Sequence, residues 1–254
     1  MELLTLARDL KRRKARERRL LFVAEGVRAV EELLRSGLAV RGALATATLS
    51  GTSRGAALRA ALASRQIACT EVRDQDFRSA ADTEHPQGIL AIAEVPAHGF
   101  AALATTLPPT VRLLVLDAVQ DPGNAGTLVR TGTALGATAV IALPGTADIW
   151  NAKAVRAAAG AHFWIPAFSS TAPELLAFLG AQKIALWGAA ADGTPVDALR
   201  APERLALAVG NEGAGLSAAV RDAATQMVAL PMAGGVDSLN VAVAAGIALY
   251  ALRP

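Results

Sequence analysis

Two short apolar runs in the last third of the chain each end in a glycine-rich loop and then a helix. No other feature limits the fold as tightly. Leu205 to Val209 runs into Gly210-Asn211-Glu212-Gly213-Ala214-Gly215-Leu216-Ser217. Glycines at this density let the backbone turn sharply and bring main-chain N–H and C=O groups close to a ligand. Met227 to Leu230 is the second run; Pro231 stops it and Gly234-Gly235 bends the chain. Ser238 or Asn240 then caps a helix through Ile247 and Tyr250. Loops at the carboxyl ends of strands in one α/β sheet are where ligands usually bind.

Upstream, apolar runs and helical periodicities alternate. Leu21 to Glu25 precedes a helix with Val27, Val30, Leu33 and Leu34 on one face, ending near Gly37. Val40 to Leu44, Ile67 to Val72 and Gln87 to Ala93 read as strands; Gly55 to Ser64 and Asp74 to Ala81 read as helices. This predicts a small α/β domain over residues 1–96. Residues 97–110, with Pro96, His98-Gly99 and Pro108-Pro109 as punctuation, read as a linker. A second α/β domain covers 111–254. It opens with Val111 to Leu116, a run so apolar after Arg112 that it suits a strand buried on both faces of a parallel sheet. Asp121-Pro122-Gly123 is a turn there, and Asn124 is the expected N-cap of a helix through Leu135. Gly126 and Arg130, four apart, share a face of that helix, so a ligand backbone could approach over Gly126 and meet a guanidinium; a helix with one solvent-facing Arg is the equal alternative. Asn151 to Gly160 reads as a helix and His162 to Phe168 as extended. Pro173 to Leu179 reads as a helix, Ile184 to Trp187 as a strand and Asp192 to Pro195 as a turn.

Composition excludes several classes. Hydrophobic residues make up 53% of the 254, yet no apolar stretch reaches bilayer length uninterrupted. Met1 to Leu20 lacks the order of a signal peptide, so the cytoplasm is the expected compartment. The single Cys69 rules out an intramolecular disulfide and reads as a buried thiol. His85, His98 and His162 show no metal-ligand spacing, so no metal is expected. The net charge is only +3, but Lys11, Arg12, Arg13, Lys14, Arg16, Arg18 and Arg19 are packed into one short stretch. Such a cluster is either a solvated helix face or a contact to nucleic-acid phosphates. Lys153 and Arg156 leave the same pair of readings open. Trp150, Trp164 and Trp187 read as core rather than as base-stacking platforms.

At Asn124-x-Gly126-x-x-x-Arg130, Gly210-Asn211-Glu212-Gly213-x-Gly215-Leu216-Ser217 and Pro231-Met232-x-Gly234-x-x-x-Ser238-Leu239-Asn240, the chain resembles the SpoU (TrmH-like) family of RNA ribose 2′-O-methyltransferases in the SPOUT class. Val155 to Phe163 is similar to a further signature of the family, and the stretch around Phe22 to Gly26 to its N-terminal substrate-binding domain. The resemblance implies an S-adenosylmethionine-dependent enzyme whose second domain has a parallel sheet and a deep trefoil knot, and whose small N-terminal α/β domain resembles RNA-binding ribosomal proteins. It implies a homodimer acting on RNA, ribosomal RNA before transfer RNA. By motif position Gly210, Leu230, Met232 and Leu239 would line the cofactor site. Arg130 would stand beside the attacking hydroxyl, with Asn124, Glu212, Ser238 and Asn240 shaping the site. Lys11, Arg12, Arg13, Lys14, Arg16 and Arg156 would touch RNA. Ala158 and Ala242 stand where the family commonly has Ser, at positions that carry no chemistry.

Arginine as a literal base is awkward, because a free guanidinium holds its proton to about pH 12. Orienting the hydroxyl, clamping the neighbouring phosphate or stabilising a developing alkoxide are the alternatives. Glu212 and Asn240 also suit plain helix-end roles. A transfer-RNA enzyme and a non-catalytic RNA binder of the same fold are the competing functions; the presence of Arg130, Glu212, Ser238 and Asn240 argues against the second. A nicotinamide-binding protein would want Gly-x-Gly-x-x-Gly after its first strand, which is missing here.

Overall fold

The computed structural model describes residues 2–234 and 238–253. The chain divides into two units: Met1–Ala97 with Trp150–Phe163, and His98–Ile149 with Trp164–Pro254.

The first unit begins with helices α1 (Glu2–Asp9) and α2 (Arg13–Arg19). Then come β1 (Leu21–Glu25), α3 (Val27–Ser36), β2 (Val40–Ala45), α4 (Ser53–Ser64), β3 (Cys69–Glu71), α5 (Asp74–Ala80) and β4 (Ile89–Glu94). Its sheet has the order β1-β4-β2-β3, antiparallel except for β2 and β3. Val30, Leu33 and Leu34 are the buried face of α3, and Gly37 ends the helix in the left-handed region at φ 76°. Leu21, Val23, Leu44, Phe77, Leu90 and Ile92 form one core cluster of this unit.

The second unit continues with α6 (Phe100–Thr106), β5 (Val111–Leu116), α7 (Pro122–Ala134) and β6 (Ala139–Ala142). Helix α8 (Ala152–Ala158) then crosses into the first unit. Its flanking Trp150 and Phe163 rings lie 4.8 and 5.6 Å from that of Phe22. The second unit resumes through β7 (Ala167–Ser169), α9 (Ala172–Gln182), β8 (Ala185–Pro195), β9 (Arg204–Val209), α10 (Ala218–Ala223), β10 (Gln226–Ala229) and α11 (Val241–Ala251). A six-stranded sheet runs β10-β8-β9-β5-β6-β7, and every pairing in it is parallel. All residues of β5 are buried, as a central parallel strand requires.

Several local expectations change. The stretch 97–110 contains α6, and Phe100 stacks on Phe178 at 4.5 Å while Leu103 joins the second core; the apolar spacing of Phe100, Leu103 and Leu107 outweighs the flanking Pro and Gly. Asp192 to Pro195 is strand, because β8 runs on to pair Thr194 and Pro195 with Val228 and Ala229 across a register shift. Residues 161–163 form a single 3₁₀ turn rather than extended chain. Trp164 is 54% exposed, whereas Trp150 and Trp187 are buried. Cys69 is only half-buried, on a short strand beside Arg59. Gly235, half of the expected bend, lies outside the described residues.

Candidate active site

In a parallel sheet the crevice opens where the chain reverses its direction of travel across the strands. Here that point is between β5 and β9: the chain leaves β5 toward β6 and β7, and leaves β9 for β10 on the other side. The loops after these two strands are tied together. Asp117 N–H donates to the Val209 carbonyl at 2.9 Å. Buried Asp117 accepts from the Ser217 N–H at 2.6 Å. The Asn211 amide donates to the Ala118 carbonyl at 3.0 Å, and its oxygen accepts from the Gly213 and Ala214 N–H groups at 2.9 and 2.8 Å. Ala118 sits at φ 59°, a left-handed geometry that a non-glycine residue keeps at a cost of about 1–2 kcal/mol.

The loop after β9 closes on itself. Asn211 and Gly215 exchange two main-chain hydrogen bonds, at 2.8 and 3.0 Å. A Cβ placed on Gly210 would lie 2.3 Å from the Gly215 carbonyl carbon, so only glycine fits there.

Helix α7 starts one turn earlier than its sequence suggests. Asp121 is the N-cap, accepting from the Asn124 N–H at 2.8 Å, with Pro122 at the first helical position. Asn124 is therefore not the cap, and its side chain is free for other partners. It donates to Glu212 Oε1 at 2.9 Å and accepts from the Asn240 amide at 2.9 Å. Asn240 is meanwhile the N-cap of α11, accepting from the Ala242 and Val243 N–H groups at 2.9 and 3.4 Å. One chain of hydrogen bonds thus joins Glu212 in the loop after β9, Asn124 in the first turn of α7 and Asn240 at the cap of α11. Burial pushes the Glu212 carboxyl up. Hydrogen bonds from Asn124 and from the main chain of Glu212, Gln120 and Asp121 outweigh it and hold the group below its ordinary value.

Arg130 stands outside this chain. It is exposed on α7 and makes no hydrogen bond or ion pair among the described residues. Gly126 is buried on the inner face of the helix, so no ligand can approach over it. Ser238 is exposed, two residues before the cap of α11. Leu230 is half-buried, and Met232 and Leu239 are exposed at 39% and 38%. Among the described residues the main-chain groups from Leu230 to Gly234 form no hydrogen bond. An apolar surface next to free main-chain donors and acceptors suits an adenine, which has flat faces and a hydrogen-bonding edge. The residues present therefore fit an adenosyl cofactor.

The basic cluster lies in the first unit. Arg16 is 7% exposed and donates to the Leu10 and Lys11 carbonyls at 2.7 and 2.9 Å, closing the end of α1, so it is a structural residue with no reach to RNA. Lys11, Arg12, Arg13 and Lys14 are exposed. Arg12 pairs with Asp9 and Arg13 with Glu17. Asp117, Asp121 and Asn211 were missed as site residues; only the Asp-Pro pair, an N-cap before proline at the first helical position, signalled one of them.

The fold defines an α/β protein with a parallel sheet, and the loops at its switch point are the candidate ligand site. The profile of the SpoU rRNA methylase family matches residues 112–250, and that of the MRM3-like substrate-binding domain matches residues 5–91. The chain is 36% identical over 250 residues to the Bacillus subtilis 23S rRNA (guanosine(2553)-2′-O)-methyltransferase RlmP, covering 97% of this chain and 94% of the relative. The AdoMet complex of the SpoU methyltransferase AviRb from Streptomyces viridochromogenes superposes with a TM-score of 0.87 at 27% identity, over 99% of this chain and 96% of the other. The AdoMet-bound rRNA methyltransferase from Sinorhizobium meliloti gives 0.84 at 26%, over 98% and 93%. The chain belongs to the SpoU rRNA methylase family, as its three motifs led us to expect.

Proposed function

We propose that this protein methylates a ribose 2′-oxygen in ribosomal RNA. The hydrogen-bonded chain Glu212–Asn124–Asn240 carries the reading, because it draws all three family motifs to one place. The ribosomal-RNA name of the Bacillus subtilis relative, which matches nearly the whole chain, supports this substrate over transfer RNA.

Bound S-adenosylmethionine supplies a methyl group on a sulfonium, ready for in-line attack. Gly210 and the main chain from Leu230 to Gly234 hold that cofactor, with Met232 and Leu239 against its apolar faces. Asn124 and Asn240 would set the spacing of the loops so that a ribose hydroxyl can approach the methyl donor, its proton passing to solvent as the methyl group is transferred. Arg130, lacking a protein partner among the described residues, is free to clamp an RNA phosphate or stabilise the developing alkoxide. Glu212, held ionised, keeps Asn124 in its donor orientation. Lys11, Arg12, Arg13, Lys14 and Arg156 contact RNA phosphates. The exposed ion pairs of Arg12 and Arg13 are weak enough to yield to them.

The same reading includes a deep trefoil knot in the second unit. It includes a homodimer, supported by the apolar stripe of Val243, Ile247 and Tyr250, exposed at 51%, 46% and 56% along α11. Among the described residues no helix is long and apolar enough to cross a membrane, and no group of three His, Cys, Asp or Glu is placed to hold a metal.

The experiment is methyl transfer from radiolabelled S-adenosylmethionine to ribosomal and transfer RNA separately, with Arg130→Ala and Arg130→Lys alongside. Label on ribosomal RNA, lost in both variants, is the expected result. Label on transfer RNA alone would overturn the substrate assignment, and a fully active Arg130→Lys enzyme would overturn the need for a guanidinium.

A further inference from the structure

A cavity lies wholly within the first unit, where β1, α3 and α8 meet. It encloses about 300 Å³, and Gly26, Arg28, His85, Gln87 and Arg156 stand on its walls above Glu25. The packing that makes it is specific. A Cβ on Gly160 would lie 2.6 Å from the Glu32 Cβ, so the bare glycine lets the end of α8 settle on α3. That contact brings Arg156, from the methylase part of the sequence, onto the N-terminal sheet.

The donors there are not all used. Glu25, 4% exposed, is the one carboxylate lining the cavity among the described residues, and its oxygens already accept from the Asp82 N–H at 2.7 Å, the Thr83 N–H at 3.3 Å and the Thr83 hydroxyl. Arg156 donates through Nη2 to Asp82 at 3.1 Å. Its Nη1 stands 3.8 Å from Glu25, past hydrogen-bond reach, and is a buried nitrogen with no acceptor. Arg28 and His85 are exposed and make no hydrogen bond or ion pair among the described residues. Arg156, with one guanidinium nitrogen lacking an acceptor, shares the cavity wall with Arg28 and His85, a set of donors that suits an anion with several oxygens.

We infer that this cavity holds a backbone phosphate of the RNA substrate, with Arg28 and Arg156 as its anchors and His85 as a further donor. The inference rests on the RNA-methylating reading and adds to it a contact distinct from the basic cluster of α1 and α2. A phosphate offers the oxygen geometry that planar guanidinium groups match. Because Arg156 belongs to the methylase sequence and Arg28 to the substrate-binding sequence, a phosphate held here is gripped by both parts of the chain.

The test uses the full-length protein with S-adenosylmethionine and a fluorescein-labelled RNA hairpin, read by anisotropy between about 50 and 200 mM KCl. Arg28→Ala is expected to weaken binding roughly threefold to tenfold and to lower the log–log salt slope by about one. Arg28→Lys recovers most of the slope, His85→Ala shows a smaller loss, and calorimetric cofactor affinity stays unchanged. Unchanged RNA affinity and slope in the Arg28→Ala, His85→Ala double variant would overturn the inference. So would Arg28 and His85 NMR shifts caused by inorganic phosphate alone, with no effect of the variants on RNA. A wild-type protein that methylates no ribosomal RNA, yet loses RNA affinity on Arg28→Ala, would sink the proposed activity while supporting the phosphate site.

Discussion

Replacing Asn124 with Ala removes the middle link of the hydrogen-bonded chain joining Glu212 to Asn240. Two hydrogen bonds of 2.9 Å are lost, one to Glu212 and one from Asn240. Asp121 still caps the helix through the Asn124 main chain, so α7 itself survives. Glu212 and Asn240 are exposed, and water replaces much of what is lost. After that discount each bond contributes about 0.5–1 kcal/mol, or roughly 1–2 kcal/mol together. With a urea slope of about 3 kcal/mol/M, the unfolding midpoint falls by roughly half a molar at pH 7. The loss depends on pH with a definite sign. Burial, the largest influence on Glu212, pushes its carboxyl up, and the Asn124 hydrogen bond is the first of those that bring it below 4.5. A depressed carboxyl stabilises the fold above its unfolded value, and that stability disappears as pH falls through the lower folded value. The deficit of the variant is therefore full at neutral pH and shrinks in acid, as pH falls through the lowered folded value. Loss of loop spacing should also lower kcat/KM by about a hundredfold. Urea titrations at neutral and acid pH, carboxyl NMR of Glu212 and methyl-transfer kinetics measure all three effects. A variant with wild-type stability and turnover, or an unmoved Glu212 titration, would refute the reasoning.

Three other substitutions or reactions probe separate parts of the molecule. Gly210→Ala forces a Cβ to 2.3 Å from Gly215 main chain and should cost roughly 3 kcal/mol or abolish calorimetric S-adenosylmethionine binding; normal binding would show that the loop opens freely. Arg16→Ala removes the donors that close α1 and should cost about 2–3 kcal/mol by thermal unfolding, far more than Lys14→Ala on the exposed face. Burial raises the Cys69 thiol and nearby Arg59 lowers it only in part, so iodoacetamide should alkylate the native protein at pH 8 at least about tenfold more slowly than the urea-unfolded chain; equal rates would contradict this.

The element order was legible because local signals agree with the fold. Apolar runs such as Val111 to Leu116 could be satisfied only in a sheet covered on both faces, and Gly37 marked the end of its helix in advance. The family was legible too, since its motifs are strings of adjacent residues. What escaped depended on partners distant in sequence. Asn124 looked like a helix cap because a cap is a local role; with Asp121 in that position, its amide serves Glu212 and Asn240, 88 and 116 residues away. Arg16 looked like one more cation in a basic run, and only the turn between α1 and α2 shows that it faces two carbonyls inward. Likewise Trp150 to Phe163 reads as part of the methylase sequence, yet its rings and Arg156 pack into the N-terminal unit. Sequence alone determined most of the strands, including β5, and what chemistry the motifs suit, because periodicity and turn geometry act over a few residues. Tertiary structure decided which polar side chains meet and which are turned inward, because a hydrogen bond is formed by whatever the fold brings within about 3 Å, whatever the distance along the chain.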